Sequence, residues 1–236
     1  MQTNYERVLI VGAGDGLSAS LARLFHREGM TRIGLAARNV EKLRPLLDAL
    51  GPQACAIACD ASIPSEVDAL YAAFDAKQGG APDVVVYNAG ARLRGTFVDL
   101  DSGDVARAIA VSAFGGFLVA QAAARRMLPQ GYGAILFTGA SASVKGYARS
   151  APFAMGKFAL RGLAQSMARE LAPQGLHVAH IVVDGIIRNP GRTEPPDAPD
   201  SMLDPDAIAR TYLNLLRQDR SAWTWEIELR PWVETF

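Results

Sequence analysis

The sequence shows no excess of charge of either sign. Its 24 basic residues balance its 24 acidic ones, so the formal net charge is zero. A balanced charge gives no general field that attracts a polyanion, which argues against nucleic-acid binding. No run of about 18 apolar residues occurs, so no transmembrane helix is predicted. The polar start of the chain, residues 1–7, has no signal-peptide pattern, and we expect a cytoplasmic protein without membrane partners.

Cysteine and histidine are scarce as well. The two cysteines, Cys55 and Cys59, lie four residues apart in a short apolar run. On a strand they would face the same side, too far apart for an easy disulfide. No cluster of further ligands accompanies them, so we predict no metal site and interpret both as small core residues.

What the chain has in quantity is apolar sequence, 50% of its 236 residues, which is enough for one sizeable core. Short apolar runs alternate with longer amphipathic stretches. The predicted strands are 7–11, 32–37, 54–59, 83–87, 134–138, 177–183 and 223–229. The predicted helices are 17–28, 40–50, 64–78 (with Ser62 as its cap), 104–128, 152–171 and 205–217.

Strands that are apolar on both faces and separated by helices indicate a parallel sheet covered on both sides. We therefore predict an α/β fold: one Rossmann-like, doubly wound domain, residues 1–236, with about seven strands and helices on both faces. The Pro- and Gly-rich segment 188–204 is predicted to be an irregular loop or lid on the substrate side.

A glycine-rich turn, Gly12 to Leu17, follows the first predicted strand and opens the first helix. Gly12 can make a tight turn, and Gly16 lets a pyrophosphate approach the helix N-terminus. The common dinucleotide spacing fails because position 17 is Leu, and a glycine pair at this spacing is also compatible with a purely structural turn.

The second predicted strand ends in Ala37 and Arg38, where an NAD-selective site would place Asp or Glu. The Arg38 guanidinium suits a ribose 2′-phosphate, although a solvated surface arginine is the alternative. Because of Arg38, we expect the cofactor to be NADP(H).

Four motifs in order make the chain resemble the short-chain dehydrogenase/reductase family. They are the glycine turn, Asp60 after strand three, Asn88-Ala89-Gly90 after strand four, and Asp184 to Ile187 after strand six. The resemblance implies a Rossmann-like oxidoreductase acting on a small-molecule substrate. It assigns cofactor-binding roles to Gly12, Gly14, Asp15, Gly16, Leu17, Arg38, Asp60, Ala61, Asn88, Ala89, Gly90, Lys157, Gly185 and Ile187.

The resemblance fails at the catalytic residues. The family's Tyr, four residues before Lys, corresponds to Phe153, while Lys157 is present. The family's Ser corresponds to Ala140 and its Asn to Ser112. Of the tetrad Asn-Ser-Tyr-Lys, this chain keeps Lys157 alone.

Nearby groups are candidates to replace the missing acid. Ser141 and Tyr147 both lie on the loop after strand five, and with Lys157 they are the predicted catalytic residues. A surface aromatic is the alternative for Tyr147. His177 and His180, at odd spacing in strand six, are expected to be structural.

We therefore expect an NADP(H)-dependent oxidoreductase with a degenerate tetrad, acting on an iminium, a polarised alkene or a carbonyl. The alternatives are a catalytically silent NADP(H)-binding protein and a non-redox enzyme on the same fold. Helices 104–128 and 152–171 are apolar over much of their circumference, and in the family such helices form a dimer interface. The last strand, flanked by Trp223, Trp225 and Trp232, resembles a second family interface. A homodimer or homotetramer is implied.

Overall fold

A parallel sheet of seven strands forms the centre of the structure, a computed structural model that describes residues 5–234. In chain order, the strands of this sheet and of a separate β7–β8 pair are β1 (Arg7–Val11), β2 (Arg32–Ala37), β3 (Cys55–Ala58), β4 (Val84–Tyr87), β5 (Gly133–Thr138), β6 (Leu176–Val183), β7 (Ile186–Ile187), β8 (Met202–Leu203) and β9 (Glu226–Leu229). The sheet order is β3-β2-β1-β4-β5-β6-β9, and each neighbouring pair is parallel. This confirms the predicted fold class.

Alternating side chains of the strands form two cores, one on each face of the sheet. Along β1, Val8 and Ile10 belong to one core, whereas Leu9 and Val11 belong to the other. All four are fully or almost fully buried. A strand with apolar residues on both faces is what a sheet covered by helices on both sides requires.

The described residues, 5–234, form seven α-helices, six of which pack on the two faces of the sheet. They are α1 (Leu17–Arg27), α2 (Arg44–Leu50), α3 (Pro64–Gln78), α4 (Ser102–Ile109), α5 (Gly115–Met127), α6 (Ala151–Leu171) and α7 (Pro205–Leu216). Helices α1, α2 and α7 supply one core, and α3, α5 and α6 supply the other. The strand order reverses between β1 and β4, so a crevice opens at their carboxyl ends.

Helices α4 and α5 form one long helical segment, joined by a π-helical turn over Ala110–Phe114. By length and composition alone, the segment Ser102–Gln130 is long and apolar enough to cross a membrane. Its α5 part, however, packs its buried alanines, Val119 and Met127 into the core beneath β4 and β5. Such packing is typical of a core helix in an α/β domain.

The structure corrects several local predictions. Ile63, not Ser62, is the N-cap of α3, and the Ser62 hydroxyl instead donates to Asp60. Segment 188–204 is not wholly irregular, because Met202–Leu203 pairs in parallel with Ile186–Ile187. The last strand begins at Glu226 rather than residue 223 and, as expected, lies at the sheet edge. The polar start of the chain lies partly outside the described residues.

Asp83, just before β4, ties the amino ends of β1, β4 and β5 together. Its carboxylate accepts hydrogen bonds from the backbone N–H groups of Glu6 and Arg7, both at 2.9 Å. It also accepts from the Arg7 guanidinium at 3.0 Å and the Tyr132 hydroxyl at 3.2 Å. The hydrogen bond to Asp83 raises the pKa of Arg7. Asp83 itself is 2% exposed, so its carboxylate depends on these hydrogen bonds rather than on water.

Asp83→Ala should therefore lower the free energy of unfolding by about 2 kcal/mol or more, since four partly buried donors lose their shared acceptor. Urea unfolding measures the change. Asp104→Ala, which removes an exposed ion pair with Arg107, is the control and should cost less than about 1 kcal/mol. Equal losses in the two variants would contradict the anchoring role of Asp83.

Candidate functional site

The turn after β1 lies directly against the turn after β4. Gly12 has a φ of +87°, and a Cβ built on it would lie 2.4 Å from the backbone nitrogen of Ala89. Only glycine meets both conditions without strain. The Asn88 side chain donates to the Ser18 hydroxyl at 2.8 Å, and that hydroxyl donates to the Gly12 carbonyl at 3.1 Å. These contacts fix the two turns as one unit.

The N-terminus of α1 is open to a ligand. Its N-cap, Gly16, provides no side-chain cap, and the first helical turn contains no acidic residue. A Cβ on Gly14 would find no atom within 4 Å. Free N–H groups, a positive helix end and an open approach are what a pyrophosphate needs, so these residues fit a dinucleotide.

A cavity of about 200 Å³, here called the Arg38 cavity, lies between the carboxyl ends of β1, β2 and β4. It brings together the predicted residues Gly12, Arg38, Asp60, Ala61, Asn88 and Ala89. The hydrogen bond from the Ser62 side chain, assisted by the nearby Arg38 charge, lowers the pKa of Asp60. The carboxylate is therefore held in its charged form beside Arg38.

Lys42 also lines the Arg38 cavity, and the sequence did not single it out. It lies in the short 3₁₀ turn Glu41–Leu43 that precedes α2. Arg38 lies outside this turn, so no helical spacing in the sequence could have indicated that the two residues share a cavity.

A second cavity, of about 270 Å³ and here called the Arg92 cavity, lies at the carboxyl ends of β4, β5 and β6. Predicted residues Gly16, Leu17, Asn88, Ser141, Gly185 and Ile187 line it. Three arginines that the sequence did not single out, Arg92, Arg188 and Arg192, line it as well. Asn88 borders both cavities, so together they form one extended crevice.

Lys157 lies beneath the Arg92 cavity with 5% of its surface exposed. Its ammonium group donates to the Thr138 carbonyl at 2.7 Å, and a Cβ on Gly90 would lie 3.6 Å from Nζ. Burial, with a smaller contribution from the Arg92 charge, lowers the pKa of Lys157 to about 8. The group can therefore exchange a proton near neutral pH.

Phe153 lies one helical turn before Lys157 on α6 and is buried. Its ring centre is 6.0 Å from Lys157 Nζ and 5.1 Å from the Arg92 guanidinium carbon. The aromatic face attracts both cations, but the ring has no proton to donate. A ring close to two cations therefore occupies the position to which the resemblance assigned a hydroxyl acid.

The remaining tetrad positions also carry altered groups. The Ser112 hydroxyl lies in the π-helical turn and accepts from the Ala91 N–H at 3.1 Å. Ala140 has no hydroxyl, and its N–H donates to Ser143 Oγ at 3.1 Å. Ser141 lines the Arg92 cavity. Tyr147 is 47% exposed and lines neither cavity, so a catalytic role for it requires the 144–150 loop to move.

The two histidines of β6 contact residues 223–226, at and just before the last strand, and line neither cavity. His177 stacks on Trp223 with ring centres 4.8 Å apart and pairs with the Thr224 carbonyl at 2.9 Å. His180 Nδ1 lies 3.0 Å from the Glu226 carboxylate. Burial lowers the pKa of His180 to about 4, so the ring is neutral near pH 7. These contacts agree with the expected structural roles.

Comparison with known proteins places the chain among dehydrogenases. The family model described as short chain dehydrogenase matches residues 6–196. The (+)-borneol dehydrogenase 1 of Salvia officinalis is 33% identical over 183 residues, which are 76% of this chain and 69% of that enzyme. An uncharacterized oxidoreductase of Staphylococcus aureus is 30% identical over 227 residues, covering 94% of this chain and 96% of that protein. The crystal structure of a short-chain dehydrogenase from Rhodopseudomonas palustris matches with a TM-score of 0.82 and 36% identity, covering 96% and 98% of the two chains.

The depressed pKa of Lys157 predicts a pH-dependent stability. Between about pH 8 and pH 10.5 the unfolded chain holds the Lys157 proton while the folded protein has released it. The free energy of unfolding therefore rises with pH in this window, by up to about 3 kcal/mol from this group.

Urea unfolding of the wild type and of Lys157→Met at pH 7 and pH 10.5 measures the effect as a difference between the two proteins. Lys77→Met, which removes an exposed ammonium group on α3, is the control and should leave the wild-type pH profile unchanged. Parallel pH profiles for wild type and Lys157→Met would show that Lys157 keeps an ordinary pKa.

Proposed function

Because this chain belongs to the short-chain dehydrogenase family, whose members are oxidoreductases that bind a nicotinamide cofactor, we propose that it is an NADP(H)-dependent oxidoreductase of the cytoplasm. The observation that carries the cofactor choice is the pair of cations, Arg38 and Lys42, at one cavity. A ribose 2′-phosphate is a dianion that two cations hold well, whereas an NAD site uses a carboxylate at the end of β2.

The rest of the cofactor would follow the crevice from one cavity to the other. Asp60 and Ala61 would contact the adenine, and the open N-terminus of α1 would hold the pyrophosphate. Lys157 would hold the nicotinamide ribose, with the Ile187 backbone at the carboxamide and segment 188–204 covering the substrate side. The bound cofactor supplies hydride chemistry, for which this chain provides position and charge.

The altered tetrad limits the substrates that fit this proposal. A positioned general acid contributes about a hundred- to ten-thousandfold in rate, and Phe153 contributes none. An iminium or a polarised alkene accepts hydride without a protein acid at a carbonyl oxygen. A carbonyl substrate would need its proton from Tyr147, Lys157 or solvent.

The same observation favours a second candidate, a catalytically silent NADP(H)-binding protein. Phe153 and Ala140 remove the acid and the hydroxyl that would hold a carbonyl, while the nucleotide-binding turn is intact. Measuring NADPH oxidation with panels of carbonyl, imine and enone substrates distinguishes the enzyme from the silent protein. Turnover on any panel supports the enzyme, and tight NADPH binding without turnover supports the silent protein.

Arg38→Ala should weaken NADPH binding by about 1.5–3 kcal/mol, because a charged hydrogen bond to the 2′-phosphate is lost. NADH binding should barely change. Calorimetric titration with both cofactors measures this. Arg44→Ala is the matched control, since this exposed arginine lies at the start of α2 and lines neither cavity. Equal wild-type affinities for NADPH and NADH would reject the cofactor assignment.

The proton source is tested on whichever substrate the wild type accepts. If Tyr147 is the acid and Ser141 orients the substrate, Tyr147→Phe should lower kcat by about a hundredfold or more with NADPH affinity unchanged. Tyr132→Phe, which removes a hydroxyl beneath the opposite end of the sheet, should leave kcat unchanged. Full activity of Tyr147→Phe would exclude Tyr147 and leave Lys157, solvent or the substrate itself as the source of the proton.

Restoring a tyrosine at position 153 should raise the rate of carbonyl reduction only in part. Phe153→Tyr alone leaves a carbonyl oxygen unheld at Ala140, so Ala140→Ser should be needed for a large gain in carbonyl reduction. Both groups act on one transition state, and their effects on kcat/KM should therefore be non-additive. A double variant no faster than the wild type would argue against carbonyl chemistry at this site.

A second copy of the chain is the proposed partner of α4, α5 and α6. These helices leave Phe114, Phe117, Met155 and Phe158 between 39% and 52% exposed, and the rings of Phe114 and Phe117 stack. Apolar side chains grouped in this way are typical of an interface. We propose a homodimer, or a homotetramer if the edge strand β9 also pairs.

Phe158→Arg should shift the assembly toward monomer, because it places an unpaired charge in the interface. Sedimentation at micromolar concentration measures the state. Ile63→Arg, at a site 40% exposed just before α3, is the control and should assemble as the wild type does. A wild-type monomer would contradict the proposal.

A further inference from the structure

Three exposed arginines, Arg92, Arg94 and Arg192, lie at or beside the substrate end of the crevice. Within residues 5–234, Arg92, Arg94 and Arg192 make no ion pair with a carboxylate. Arg188 is the exception, since it pairs with Asp204. Burial together with the charges of Arg94 and Arg192 lowers the pKa of Arg92, so the guanidinium groups act on one another. Like charges gathered without a counter-ion are stabilised when an anion binds.

Arg92, Arg188 and Arg192 all line the Arg92 cavity, together with Gly16 and Leu17, where a pyrophosphate would meet α1. Arg92 follows the Asn88-Ala89-Gly90 turn and is the one whose guanidinium carbon lies 5.1 Å from the Phe153 ring centre, the ring that Lys157 Nζ also approaches. A bound pyrophosphate would account for arginines beside α1, whereas the position of Arg92 at Phe153 leaves it available to a substrate.

We infer that Arg92 binds an anionic group of the substrate, a carboxylate or a phosphate, directly above Phe153. The guanidinium fork can hold either anion through two parallel hydrogen bonds. The Phe153 ring centre lies 5.1 Å from the guanidinium carbon, within the range of cation–π attraction, which stabilises Arg92 beside the ring. The Arg92 cavity has a volume of about 270 Å³, and the nicotinamide end of the cofactor would share it, which favours a small organic anion as the substrate.

This inference rests on the proposed oxidoreductase function and names the substrate class for the same site. Phe153 is compatible with this role, because its ring attracts Arg92 and the orientation of the substrate would come from the bound anion.

The test compares acids with their neutral counterparts. The NADPH-saturated protein is titrated by calorimetry with small 2-oxo, enoic and aromatic carboxylates, and each acid is compared with its methyl ester. Inorganic phosphate is titrated in a separate experiment. We expect saturable binding of an anion and none of its ester. Arg92→Gln should weaken that binding about tenfold or more, and Arg92→Lys should restore part of it because the charge returns without the fork.

Two controls keep the inference separate from the cofactor proposal. Arg169→Gln removes an exposed arginine near the far end of α6 and should leave anion binding unchanged. NADPH affinity should be the same in Arg92→Gln as in the wild type. The titrations are repeated without cofactor, so that a failure of NADPH binding overturns the proposed function and still leaves the role of Arg92 measurable.

Several results would overturn the inference. They are equal binding of acids and esters, anion binding that Arg92→Gln leaves unchanged, and the absence of binding by every anion in both states of the protein. Preference for phosphate over the carboxylates, or the reverse, decides which anion the substrate carries.

Discussion

The crevice depends on the close approach of the two turns that follow β1 and β4. A Cβ on Gly12 would lie 2.4 Å from the Ala89 nitrogen, so this contact exists only because residue 12 has no side chain. The Asn88 N–H donates to the Val11 carbonyl at 2.8 Å, and the Asn88 side chain reaches Ser18 on α1. Since the strand order reverses between β1 and β4, these bonds hold together the two halves of the sheet and the shared wall of both cavities.

Electrostatics at the other end of the crevice differ from those of a site with a hydroxyl acid. Lys157 is buried without a carboxylate, and its charge is stabilised by the Thr138 carbonyl and the face of Phe153. The same ring supports Arg92. Replacing a phenol by a phenyl ring keeps the π face that attracts cations and removes the proton that a carbonyl reductase would transfer. Phe153 thus supports two positive charges without supplying a proton.

The sequence was sufficient for the sheet and for most of the nucleotide-binding half of the site. Buried parallel strands are continuous apolar runs, so β1 and β2 are found at their predicted bounds. The glycine turn, Asp60 and Asn88 each follow directly after a strand, and the carboxyl ends of parallel strands meet at one edge. The convergence of Arg92 with Arg192 could not be predicted, because a hundred residues separate them and only the tertiary fold brings them to one cavity. The pairing of Met202–Leu203 was missed for a related reason, since two-residue strands have no periodicity to detect.

Arg92 and Lys157 are coupled through their charges, and this coupling connects ligand binding with proton supply. Burial and the neighbouring Arg92 both lower the pKa of Lys157. An anion on Arg92 cancels part of that repulsion, so the pKa of Lys157 rises when the anion binds. By linkage, the protonated lysine in turn favours the bound anion. In this way Lys157, whose ammonium group donates to the Thr138 carbonyl at the end of β5, would be most fully protonated when an anion is bound at Arg92.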